Sequence, residues 1–176
     1  MSELNLYNMA EFLSLPDEER DNYKDFGLRL RANPQGLPPD IIEWPWATIK
    51  QIQDIINQPM LHYEDMVEIL VIATGESRDK ILLWKWTNSF PLYNFTVNGI
   101  KQINELEEQL AYEPSGKELS AGIDEYNAFG WFVTLNRLAG GDPLKYDAVG
   151  KLPYHVIFAT LKLNKVDNEF QKRMMR

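Results

Sequence analysis

The chain has 176 residues, 44% of them hydrophobic and 25% charged, and its 8 Tyr, 8 Phe and 5 Trp are far more aromatic surface than a disordered chain carries. A net charge of -8 argues against nucleic acid as the main partner, because phosphate contacts need a concentrated basic face. With no cysteine, disulfides and thiolate metal sites are excluded.

The start, Met-Ser-Glu-Leu-Asn, lacks the basic and apolar regions of a signal peptide, and no apolar run approaches the roughly 20 residues that span a bilayer. A cytoplasmic protein without a membrane partner is expected. The fold class expected is mostly α: residues 1–40 form an N-terminal helical arm with a proline-rich linker, and residues 41–176 form a single multi-helix domain.

In chain order, a first short helix is predicted over Leu6 to Leu13, with Leu6, Met9, Phe12 and Leu13 on one face. Ser14 caps a second, in which Pro16, Asp17, Glu18 and Glu19 suit a first turn and Gly27 suits a stop. The stretch from Asn33 through Pro34, Pro38 and Pro39 to Asp40 cannot continue a helix, because its prolines lack amide donors. After Pro45, the spacing of Ile49, Ile52, Ile55 and Ile56 predicts a helix that stops near Pro59. The next is predicted over Tyr63 to Ala73, with Gly75 as its stop. Residues 81–86 read equally as a capped helix after Ser77 or as a short buried strand.

A long helix is predicted after Ser89 and Pro91, to about Tyr112, on the stripe Phe95, Ile100, Ile103, Leu106 and Leu110. Ser115 and Glu118 have the spacing of a capping box. The helical stretch that follows, ending near Leu138, is apolar almost all round through Ile123, Tyr126, Phe129, Trp131, Phe132, Val133 and Leu135, which predicts a central position. Gly140 and Gly141 stop it, and Asp142-Pro143 restarts the chain. Leu152-Pro153 opens a last helix with two apolar seams, Tyr154, Ile157, Phe158 and Leu161 first, then Val166, Phe170 and Met174.

Catalytic constellations are scarce. His62 lies near Glu64, Asp65 and Glu68, but these acids fall on several faces of a helix and match no strong metal spacing. His155 follows Tyr154 in an apolar helix, the setting of a hydrogen-bonded interior or boundary histidine. Neighbouring carboxylates such as Glu107 and Glu108 point apart on a helix and read as solvated faces. No glycine run forms a phosphate loop, and no cofactor is expected.

The aromatic and basic residues point instead to protein partners. Trp44 and Trp46 flank Pro45, and either pack in a core or anchor an interface, where Trp is enriched among energetic hot spots. The C-terminal stretch reverses the sign of the charge, and Phe170 and Met174 stand there among Lys172, Arg173 and Arg176. Such a tip is either a solvated helix end that complements the helix dipole or a docking site for an acidic, partly apolar groove, another copy included.

The segment Ala121-Gly122-Ile123-Asp124-Glu125, the run Leu138-Ala139-Gly140-Gly141-Asp142-Pro143, and Leu152-Pro153-Tyr154 leading to Asn168-Glu169-Phe170-Gln171 resemble small helical proteins of tailed bacteriophages. Those proteins are accessory subunits of the capsid, portal or neck, and tail-assembly chaperones. The resemblance covers about the last third of the chain. It implies a non-enzymatic structural or accessory subunit of the virion, assembled in the bacterial host cytoplasm and bound to other virion proteins near the portal or capsid vertex. A transient assembly chaperone absent from the particle is the alternative, and a small enzyme the third class.

Overall fold

A computed structural model describes residues 7–27, 40–112 and 114–175, and these are mostly α-helical, with no strand among them. The helices are α1 (Met9–Leu13), α2 (Asp17–Gly27), α3 (Trp46–Ile56), α4 (Tyr63–Thr74), α5 (Arg78–Leu82) and α6 (Trp86–Glu107), then α7 (Gly116–Ser120), α8 (Ile123–Asn127), α9 (Trp131–Leu138), α10 (Tyr146–Gly150) and α11 (Tyr154–Met174). No described helix is long and apolar enough to cross a membrane. Leu6, most of the expected proline-rich linker and Arg176 lie outside the described residues.

Contacts divide the chain into two compact units. One comprises the described residues up to Ile41 with Gln51–Gln102, the other Ile42–Lys50 with the described residues from Ile103 onward. The first is centred on Met9, Phe12, Met66, Val67, Leu70, Ile81, Trp86 and Phe90, so two residues of the expected N-terminal arm lie in its core. The Phe12 and Trp86 rings are 5.4 Å apart and Trp86 stacks on Phe90 at 5.2 Å. The Arg20 guanidinium lies 4.4 Å over the Tyr63 ring, whose hydroxyl donates to Asp21 at 2.7 Å. Burial and that hydrogen bond push the Tyr63 phenol up to about 12.

The second unit buries Trp44, Trp46, Ile49, Leu135, Tyr154 and Ile157. Its Trp46 and Trp131 rings meet edge to face at 5.6 Å. Lys50 Nζ donates to both oxygens of Glu107, at 2.6 and 2.7 Å, so each charge is satisfied by the other where water is scarce.

Each unit joins two helix starts by one antiparallel bridge. In the first, Asn8 faces Lys85, flanked by hydrogen bonds from the Met9 amide to Trp84 O and from the Trp86 amide to Tyr7 O. In the second, Pro45 faces Pro153, and the Trp46 and Tyr154 amides donate to Leu152 O and Trp44 O at 2.8 and 2.9 Å. The four donors open α1, α6, α3 and α11, positions whose amides have no partner within their own helix. Proline is tolerated at the second bridge because the residue after it, not proline itself, supplies the amide.

Several boundaries follow the sequence signals. Gly75 closes α4 in the left-handed conformation, Ser77 caps α5, Ser115 and Glu118 form the capping box of α7, and the Asp142 side chain accepts from the Leu144 amide. Residues 81–86 form neither a strand nor one helix: α5 ends at Leu82, and the chain turns through the Lys85 bridge into α6. That helix starts at Trp86, not after Pro91, which sits inside it. An internal proline costs about 3 kcal/mol or more, and burial of Trp86 and Phe90 before it and of Leu92 after it offsets it.

The expected central helix ending near Leu138 is instead the three short helices α7, α8 and α9. Gly122 and Gly130 separate them at φ 81 and 56, a conformation that only glycine adopts freely. Its apolar perimeter is not central either: Tyr126, Phe129 and Phe132 are exposed, and Leu135 is the only residue of α9 that is fully buried.

Two glycines test this packing. A Cβ on Gly99 of α6 would stand 2.7 Å from Ile41 Cδ1 and 2.9 Å from its Cγ2, so Gly99→Ala is expected to destabilise by about 1–3 kcal/mol despite alanine's better helix propensity. A Cβ on Gly116 meets nothing within 4 Å, and Gly116→Ala is expected to stabilise by about 0.4–1 kcal/mol. Urea denaturation followed by far-ultraviolet circular dichroism measures both, and equal signs would contradict the Gly99 contact.

Candidate protein-binding surface

The last helix, α11, is divided along its length. Its first turns are core: Tyr154 and Ile157 are buried and Phe158 and Leu161 half-buried, as their helical spacing predicts. Beyond them the same helix carries Leu163, Val166, Phe170 and Met174 in solvent, with Phe170 52% and Met174 70% exposed. Large apolar side chains left in water along one helix make this face the candidate for a binding surface.

Two lysines hold this exposed half in place. Lys165 Nζ donates to the carbonyls of Gln109 and Ala111 at 2.8 and 3.2 Å, a cation on the unsatisfied acceptors that follow α6. Lys172 Nζ lies 5.4 Å over the Tyr112 ring. The Tyr112 hydroxyl donates to Glu118, which also accepts from the Ser115 hydroxyl at 2.6 Å and the Ser115 amide at 2.8 Å. Hydrogen bonds from Ser115 and Tyr112 hold the Glu118 carboxyl down at about 2, and the bond to Glu118 raises the Tyr112 phenol.

The residues singled out in the sequence separate into groups. Trp44 and Trp46 are each only 1% exposed, so they pack in the core and present no anchor to a partner. Phe170 and Met174 are four residues apart and share a face of α11. Arg173, whose Nε donates to Glu169 O at 3.3 Å, flanks that face, whereas Lys172 is turned toward Tyr112. Arg176 lies outside the described residues.

Leu163, Tyr112, Leu119, Tyr126, Phe129, Phe132 and Leu144 are also exposed, and none of them was expected to face a partner. For Leu163 a signal existed in its three-residue step to Val166. Tyr126, Phe129 and Phe132 were absorbed into the expectation of a central helix, which the glycines break.

His155 is largely exposed, with Nδ1 3.2 Å from Ile42 O and 3.5 Å from a Glu43 oxygen. His62 opens α4 and its amide donates to Asp65 at 2.7 Å. Burial and then the Glu107 charge raise the pKa of the Tyr154 phenol and keep it neutral. Among the described residues no group of three or more His, Cys, Asp or Glu is placed to hold a metal ion.

The capping box beside α11 has a definite acid signature. Because the Glu118 carboxyl is lowered from 4.5 to about 2, its stabilising contribution is present above the ordinary value and is lost as pH falls from about 4.5 toward 2. Carboxyl-resolved NMR titration is expected to place its midpoint near 2, and Ser115→Ala to move that midpoint upward. A midpoint near 4.5 in the unaltered chain would contradict the hydrogen bonds.

No protein-family model, curated protein or solved structure matches this chain.

Proposed function

We propose that the chain is a non-enzymatic, protein-binding subunit of a tailed-bacteriophage particle, assembled in the bacterial host cytoplasm and attached to other virion proteins near the portal or capsid vertex. The observation that carries the binding reading is the exposed apolar face of the distal half of α11, where Leu163, Val166, Phe170 and Met174 lie in solvent beside Arg173. Apolar contact supplies affinity there, and Arg173 favours an acidic group on the neighbour. The assembly context is supported by the resemblance of residues 121–125, 138–143, 152–154 and 168–171 to small phage structural proteins.

Mass spectrometry of purified particles of the encoding phage is expected to find the chain, and a version lacking residues 170–176 is expected to be depleted from them. The deletion removes mostly exposed side chains, so the stability loss should be within about 1 kcal/mol, against about 2–5 kcal/mol for Ile157→Ala in the buried part of the same helix. Full incorporation of the truncated chain would overturn the role of the tip. Absence of the intact chain from particles, with recovery on a tail protein during assembly, would replace the virion subunit by the transient chaperone.

A further inference from the structure

The exposed side of α11 has an order that the distal residues alone do not reveal. Val156, Ala159, Leu163, Val166, Phe170 and Met174 are all exposed, and they recur at steps of three, four, three, four and four. At 100° per residue they fall within an arc of about 80°, opposite the buried seam of Tyr154, Ile157, Phe158 and Leu161. The stripe runs for roughly 27 Å at 1.5 Å per residue, and it is the narrow seam of a helix that pairs with one other helix, not the broad face of a core helix. With Lys165 and Lys172 fastened on other sides of α11, the stripe is held toward solvent.

We propose that this stripe pairs α11 with α11 of a second copy of the chain, antiparallel, about a two-fold axis passing between Asn164 and Lys165. The proposal rests on α11 being a binding face and names the partner it takes.

The register comes from size and charge together. With Leu163 set against Val166 of the other copy, Ala159 meets Phe170, so the smallest residue of the stripe faces the largest, and Val156 meets the Arg173 and Met174 end. In that register Lys162 flanks the seam opposite Glu169 of the other copy, and the two-fold repeats the pair. Neither side chain makes an ion pair among the described residues, and both are exposed. A parallel pair fits worse: Phe170 would face Phe170, Ala159 would face Ala159 and leave a gap, and Arg173 would lie on Arg173. A helix whose sizes and charges complement its own reversed copy is matched by a second copy of this chain.

Sedimentation of the whole chain tests this, with circular dichroism confirming unchanged helicity in each variant. The unaltered chain is expected to be a dimer at micromolar concentration, and Leu163→Asp a monomer. Lys162→Glu puts two like-charge contacts into the antiparallel pair and is expected to weaken it about tenfold. Adding Glu169→Lys should restore dimerisation, because the reversed charges meet again. A parallel pair would place Lys162 against Asp167, so the second change would give no rescue. A monomeric unaltered chain, a dimer indifferent to Leu163→Asp, or failure of the double variant to recover each overturns the proposal. Incorporation into particles is read separately, so a monomer that still incorporates removes the pairing and leaves the binding role in place.

Discussion

Two hydrogen bonds govern what α11 shows to solvent. The Tyr154 amide donates to Trp44 O and the Trp46 amide to Leu152 O, and together they fix the start of α11 against the start of α3. A helix held at its first residue by a backbone bridge is constrained in rotation about its own axis. Once Tyr154 is buried, the 3.6-residue period dictates that Ile157, Phe158 and Leu161 follow it inward and that Val156, Ala159 and Leu163 turn outward.

The same arrangement at Asn8 and Lys85 gives the first unit its order. In both units a tryptophan opens a helix, its amide joins a bridge and its ring is buried, so a polar group that helix geometry leaves orphaned is satisfied where an aromatic ring gains most from burial. The arrangement also explains why α6 tolerates Pro91. Trp86 and Phe90 are held in the core from the start of the helix, and the proline falls where the chain is already committed.

The exposed aromatics of the second unit have a different origin. Gly122 and Gly130 cut the stretch after Ser115 into helices α7 and α8 of five residues each and α9 of eight. Helices this short bury little unless something packs on both of their sides, and Phe129 remains 68% exposed. The glycines thus convert an apolar perimeter into surface. On α11 the surface is created instead by continuity, since the helix extends past the part that its own unit covers.

The sequence by itself determined most helix limits, because those depend on neighbours in the chain. Ser77, Ser115 with Glu118, Asp142-Pro143 and Gly75 act through side chains or φ angles a few residues away, and each does so at the position its type requires. The buried seam of α11 was legible for the same reason: a 3.6-residue period needs no knowledge of the partner that covers it. Burial at long range was decided only by the tertiary structure. Whether Trp44 and Trp46 would be anchors or core depended on residues such as Leu152, Trp131 and Tyr154, far away in the chain. Whether the stretch ending near Leu138 would be central depended on two glycines taking positive φ, which composition permits and does not compel. Hydrophobicity states what a side chain would gain by leaving water, and only packing decides which side chains leave it.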